Sequence, residues 1–175
     1  MRIPKKMKNS PSALYIIRKN PPIISQLLTN TLKFNTMREI NEIIIHCTAT
    51  ESGHDYSAKT IDQWHRARGF KQIGYHFIIR LDGMIENGRD VALIGAHCKG
   101  HNRHSIGIAY IGGLYCGQPK NTMTAAQMQT LIHLIRLLMA MYPTIRKISG
   151  HNDYSHKACP CFDVAKFLAI NKIYV

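Results

Sequence analysis

The chain has 175 residues, 45% of them hydrophobic, and a formal net charge of +13. That length suits one domain with a sizeable core, and no apolar run approaches the roughly 18 residues that a membrane-crossing helix needs. Five cysteines, an odd number in a chain too large to need disulfide staples, point to free thiols or metal ligation in a reducing compartment rather than to a disulfide framework.

The charge is uneven. Residues 1–36 carry seven Lys or Arg and no acid, whereas 37–175 carry sixteen basic and ten acidic residues. A basic balance suits any polyanion and does not choose among nucleic acid, anionic cell-wall polymer and lipid headgroups. Residues 1–36 are rich in Lys, Asn, Ser and Pro. Pro21 and Pro22 interrupt the apolar stretch that an export signal would need, so no signal peptide is expected. Three readings stand for this segment: a flexible basic N-terminal arm, a poorly packed helical extension, or translation begun upstream of a natural start at Met37. The folded domain is expected over 37–175.

From Met37 onward strands and helices alternate. Glu42 to Cys47 reads as a buried strand, short and β-branched. Lys59 to Arg68 reads as a helix, with Ser57 or Thr60 as its cap and Gly69 just past its end. Tyr75 to Arg80 is a strand, and Asp82-Gly83 a tight turn into another short one. Ser105 to Ile111 is a strand ending at Gly112-Gly113. Thr124 to Gln127 forms a capping box for a long helix with an apolar stripe at Met128, Leu131, Ile132, Ile135, Leu138 and Met139. Arg146 to Ser149 is a short strand that delivers His151, and Asp163 caps a last helix through Phe167. Strands mixed with helices predict a mixed α+β domain, a single central mixed β-sheet flanked by helices.

The chemistry gathers in three places. His46 closes the isoleucine strand. His151 and Cys159 lie eight positions apart in a polar, loop-like stretch. Alone, a histidine at a strand end is more often a hydrogen-bonded core residue than a ligand, and cysteines are more often buried apolar thiols. Together, two imidazoles and one thiolate supply three ligands for zinc and leave a fourth position for water, the catalytic arrangement. A structural zinc would need a fourth protein ligand, with Cys161 or His156 as the candidates. Cys159 and Cys161 are too close in sequence to share one zinc comfortably, and spacing from His151 favours Cys159. Cys47 adjoins His46 but points to the opposite face of a strand. For the same reason only one of Tyr75 and His76 can face the site. Lys157, two residues before Cys159, is placed to act as a fixed positive charge, and Tyr75 to donate a hydrogen bond to a developing oxyanion. The chain lacks H-E-x-x-H, which excludes a helix-borne metalloprotease.

Several strings, in order, carry a resemblance: Ile45-His46-Cys47-Thr48-Ala49-Thr50; Gln63-Trp64-His65 with Arg68-Gly69-Phe70; Ile73 to Ile79; Gly95 to Asn102; Ser105 to Ile108; Gly112-Gly113; Thr124 to Gln127; and Lys157-Ala158-Cys159-Pro160. From residue 37 to about 170 the chain resembles the zinc N-acetylmuramoyl-L-alanine amidases of the phage lysozyme type, a family that includes the peptidoglycan recognition proteins of animals. The resemblance implies the amidase fold and cleavage of the amide between N-acetylmuramic acid and L-alanine in peptidoglycan. It implies one zinc ion held by His46, His151 and Cys159, with Tyr75 and Lys157 as the catalytic pair. It places Trp64, His65, Arg68, His97 and Asn102 in segments that line the substrate groove. Family members without the cysteine ligand tend to bind without cutting, so Cys159 favours an enzyme. His156 and Cys161 depart from the Pro and Ser of phage members.

The expected partner is therefore the muropeptide of the wall, with no specific nucleic acid and no transmembrane segment, and the protein is expected to be a monomer. Made in the bacterial cytoplasm, it would act on the wall after release, as an endolysin does. The alternative is a non-catalytic relative that binds peptidoglycan or regulates a polymerase through the same groove. The retained Tyr75, Lys157 and Cys159 argue for catalysis.

Overall fold

A computed structural model describes residues 38–175; the 1–36 segment and Met37 lie outside the described residues. The chain runs β1 (Glu42–Cys47), β2 (Thr50–Glu51), α1 (Ala58–Ala67), β3 (Phe77–Ile79), β4 (Ile85–Asn87), β5 (Ser105–Tyr110), β6 (Gly113–Tyr115), β7 (Gln118–Pro119), α2 (Ala125–Met141), β8 (Lys147–Gly150), a 3-10 turn (His151–Asp153) and α3 (Val164–Ile170). The main sheet has the order β4-β3-β5-β1-β8. Its four inner pairings are parallel except β3 with β4, which is antiparallel. This is the mixed α+β sheet that the alternation predicted. A second small sheet, β2-β6-β7, was not foreseen; strands of two or three residues carry too short a pattern to read.

Period-2 alternation divides the sheet's two faces. Ile43, Ile45 and Cys47 of β1, with Ile106, Ile108 and Tyr110 of β5, join the large core that also holds Leu131, Leu134, Ile135 and Leu138 of α2 and Val164 and Phe167 of α3. On the opposite face Ala109, Ile78 and Ile111 pack with Ala58 and Ile61 of α1. Because helices cover both faces, the central strands are buried throughout, which is why β1 reads as a continuous isoleucine run. His46, out of phase with Ile45 and Cys47, falls on the α1 face.

The helix caps are those expected. Ser57 Oγ accepts the Thr60 N–H at 3.2 Å, and Gly69 takes a left-handed φ of 87° just past α1. The Thr124–Gln127 box closes in both directions at 2.9 and 3.0 Å. Gln127 does more than cap: its Nε2 donates to the Ile79 and Ile111 carbonyls at 3.1 and 2.9 Å, so the start of α2 is sewn to the ends of β3 and β5. Asp163 caps α3 through the Lys166 N–H at 2.9 Å.

Candidate active site

Strand β1 places the imidazole of His46 1% exposed, at the carboxyl end of the sheet. Strand β8 lies beside it in parallel, with Ile45 opposite Gly150, so the next residue, His151, emerges at the same level. The two rings lie 4.7 Å apart, centroid to centroid. The chain then loops back, with the Asn152 N–H donating to the Cys159 carbonyl at 2.7 Å. That bond closes the loop and brings the Cys159 sulfur to 3.7 Å from His46 Nδ1. One ligand atom from each of His46, His151 and Cys159 lies within 4.8 Å of the other two. Zinc at about 2.0–2.3 Å from each donor would hold tetrahedral ligands roughly 3.3–3.7 Å apart, so the group matches such an ion in donor type, and its His46–Cys159 separation of 3.7 Å falls at the edge of that range. His46 is buried whereas His151 and Cys159 are part-exposed, so the group opens to solvent on one side.

The electrostatics suit a cation. Burial, reinforced by the charges His97 and His151 would carry, holds His46 well below the usual histidine range, so its ring is neutral and offers a lone pair. Burial and then the Lys157 charge lower His151 in the same way. The Cys159 thiol is lowered chiefly by a hydrogen bond from the Cys47 thiol, against the opposing effect of burial, and further by the Cys47 backbone N–H, which reaches its sulfur at 3.2 Å. Cys47 itself is pushed up by that neighbour and by burial, and keeps its proton to donate.

Tyr75 stands beside the group, its ring 5.2 Å from that of His46 and 5.3 Å from that of His65. Burial pushes its phenol up, so it is a hydrogen-bond donor at neutral pH. Lys157 is exposed, and its charge reaches both His46 and His151. His76, just before β3, turns to the backbone of β5: its Nδ1 accepts the Gly107 N–H at 2.9 Å. Cys161 turns to Cys47 (Sγ to Sγ 3.8 Å) and to the Gly113 carbonyl at 3.3 Å, and His156 is exposed. Neither joins the three-donor group found among the described residues.

The remaining candidates divide. Trp64 on α1 and Arg68 at its C-cap are exposed; Arg68 Nε donates to the Trp64 carbonyl at 3.3 Å and Tyr56 meets the Trp64 ring edge-on at 4.9 Å. His65 points inward instead, 5% exposed, and takes the Gly74 N–H on Nδ1 at 2.8 Å. Burial, aided by the Arg68 charge, pushes it down to about 4. His97 is buried behind His46, with Nδ1 3.1 Å from His46 Nε2. Asn102 shapes the loop that carries His97: its Oδ1 accepts the N–H groups of His97 and Cys98 at 2.8 and 2.9 Å. Sequence reasoning placed His97 in the groove segments and did not foresee its bond to His46. The one local signal was the pair of glycines, Gly95 and Gly107, whose missing side chains make room for its ring.

Fold and site together define a class: an α+β domain with a buried histidine, a part-exposed histidine and a cysteine converging at the strand ends, open on one side and flanked by a tyrosine. A family model described as N-acetylmuramoyl-L-alanine amidase matches residues 36–162. The endolysin of Klebsiella phage KP32 is 39% identical over 143 residues, covering 81% of this chain and 94% of the relative. The endolysin of Escherichia phage T7 is 36% identical over the same length, with the same coverage. Among solved structures, the N-acetylmuramoyl-L-alanine amidase LysC from Clostridium intestinale superposes with a TM-score of 0.66 at 34% identity, covering 78% of this chain and 87% of that one. The chain belongs to the N-acetylmuramoyl-L-alanine amidase family.

Proposed function

We infer that this protein hydrolyses the amide bond between N-acetylmuramic acid and L-alanine in bacterial peptidoglycan, with one zinc ion held by His46, His151 and Cys159. The observation that carries the metal assignment is the convergence of three donor atoms within 4.8 Å from two distant segments of the chain. Bound there, zinc supplies Lewis-acid polarisation of the amide carbonyl and makes water acidic enough to attack near neutral pH.

The chain's own groups do the rest. Tyr75, protonated and beside His46, donates a hydrogen bond to the oxygen that gains negative charge as the amide carbon becomes tetrahedral. Lys157 adds a positive charge on the open side of the site, where the same oxygen develops. Fixed donors of this kind contribute a few kcal/mol each to transition-state stabilisation. Trp64 and Arg68, exposed on α1 and at its C-cap, are the chain's contribution to gripping glycan or peptide, and His65 underlies them. The protein acts as a monomer on the wall after release from the cytoplasm where it is made. Among the described residues no helix is long and apolar enough to cross a membrane.

The test is digestion of purified peptidoglycan with and without a chelator, followed by mass analysis. The expected products are sugar strands that keep the lactyl group and peptides that begin with a free L-alanine amine, and none of either after chelation. Cleaved cross-links with sugar and peptide still joined, or cleavage indifferent to the chelator, would refute the reading.

A further inference from the structure

We propose that His97 is a positioning residue for His46, one link of a one-way hydrogen-bond relay that runs from His46 through His97 and Ser105 to the His101 carbonyl and fixes which nitrogen of His46 faces the metal. The inference rests on the reading of His46 as a zinc ligand and goes beyond it, by naming what holds that ligand in its binding form.

The direction of the relay follows from counting protons. The Ser105 hydroxyl donates to the His101 carbonyl at 2.6 Å. A hydroxyl has one proton, so toward His97 Nε2, at 3.4 Å, Ser105 can only accept. His97 Nε2 therefore carries the ring proton, and Nδ1 of the neutral ring is bare. That bare nitrogen lies 3.1 Å from His46 Nε2, which must then be an N–H donor. The consequence is that His46 Nδ1, the atom 3.7 Å from the Cys159 sulfur, presents a lone pair to the metal site. The opposite tautomer of His97 would set two lone pairs against each other at Ser105 and would put the proton of His46 on the nitrogen that must bind the ion.

The packing shows a place built for this ring. A Cβ on Gly107 would fall 2.5 Å from the His97 ring, and one on Gly95 also 2.5 Å from it, so the ring is clamped between two positions that tolerate no side chain. Ser105 is fully buried, and Asn102 pins the backbone at His97 from the other side. Metal-bound histidines ordinarily direct their second N–H to a carboxylate, a carbonyl or water, and loss of that partner weakens metal binding by about 10–100-fold. Here an imidazole takes that place and passes the constraint on to a serine.

The experiment compares His97→Leu, His97→Asn and Ser105→Ala with the parent chain. Zinc affinity is measured by competition with a chromophoric chelator, and ring 15N shifts are recorded on the zinc-free protein. His97→Leu is expected to weaken zinc binding by about 10–100-fold. His97→Asn, whose Oδ1 stands where Nδ1 stood, should recover most of that loss. Ser105→Ala should weaken binding by about fivefold, the worth of one ordinary hydrogen bond. The 15N spectrum should show the proton of His97 on Nε2. Parental affinity in His97→Leu, no recovery in His97→Asn, or a proton on His97 Nδ1 overturns the proposal. If His97→Leu does not fold, Ser105→Ala and the parent's spectrum decide: unchanged affinity in the former or the wrong tautomer in the latter overturns it. A parent chain that binds no zinc overturns the ligand reading itself, whereas normal binding by parent and variants alike overturns only the role of His97.

Discussion

The backbone N–H of Cys47 points at the sulfur of Cys159 across 3.2 Å, and the Cys47 side chain is buried in the core against which Cys159 packs. Cys47 thus holds Cys159 through its backbone, and Cys159 rather than Cys161 is the thiol drawn to His46. Cys159→Ser should lose both zinc retention and hydrolysis, because a hydroxyl does not ionise near neutral pH as a thiol can and is a poor ligand for a soft cation. Cys161→Ser should keep both, since its hydroxyl can still donate to the Gly113 carbonyl that the thiol now meets. Zinc content after dialysis, read beside murein clearing, checks the pair. Activity surviving in Cys159→Ser would count against the three-ligand centre.

In the proposed reaction Tyr75 and Lys157 act on the developing oxyanion rather than hold the metal. Tyr75→Phe and Lys157→Met should each lower kcat by about 10²–10³, the usual cost of removing one oxyanion donor, with zinc affinity kept. The measurement is kcat and KM on soluble muropeptide together with zinc content. A variant that fails because it has lost its zinc would move that residue out of the catalytic role.

The loop that carries His151 and Cys159 is also moored through Tyr154, outside the three-donor group. The Tyr154 hydroxyl donates to the Glu42 carboxylate, which also accepts Ser149 Oγ at 2.7 Å, and Lys147 Nζ donates to that phenol oxygen at 2.5 Å. The Tyr154 ring stacks on His101 at 3.7 Å. Glu42 is only 8% exposed, so these partners stand in for the water that an exposed carboxylate would hold. Tyr154→Phe keeps the stack and removes one bond to a buried carboxylate, a loss of about 1.5–3 kcal/mol in unfolding free energy. Urea titration measures it, and a change under about 0.5 kcal/mol would show that Ser149 and Lys147 suffice.

Acid should weaken the fold through its buried neutral histidines. Burial pushes His76 down to about 3, with the Arg38 charge adding to the effect, and pushes His65 down to about 4. Both lie below the unfolded value near 6.5, so the unfolded chain binds more protons in between. Their stabilisation is complete above about pH 6.5 and is lost as pH falls through the folded values, at up to about 1.4 kcal/mol per pH unit for each group. His65→Asn preserves an acceptor for the Gly74 N–H but does not titrate, so it should flatten the slope between about pH 6.5 and 4. Denaturant midpoints across that range, with chelator present to keep metal loss out of the comparison, test this. An unaltered slope would remove His65 from the account.

Much of this could be read along the chain, for a definite reason. Strand β1 and helix α2 announce themselves because β-branched runs and capping boxes are local signals, and local preference agrees with the buried position each element takes up. The divergence of His46 from Cys47 follows from strand alternation alone, whereas Tyr75 and His76 precede β3 and diverge outside any strand. Strand ends were less legible: β3 is only Phe77–Ile79, shorter than the Tyr75 to Arg80 expected, and β8 ends at Gly150 rather than Ser149. Pairing with neighbouring strands sets those limits, and a neighbour's register is not written in the strand's own residues.

Residue types and spacing alone determined an α+β domain and named His46, His151 and Cys159 as candidate donors, because zinc chemistry restricts donors to a few side chains and period-2 alternation decides which of them can face one way. Only the tertiary structure decided that Cys159 and not Cys161 meets His46, that His97 sits behind His46, and that Tyr154 reaches Glu42, 112 positions away. Those relations depend on parallel pairing of β8 and β5 against β1. Such pairing joins segments far apart in the chain, and no local pattern encodes which distant atoms it will bring within hydrogen-bonding reach.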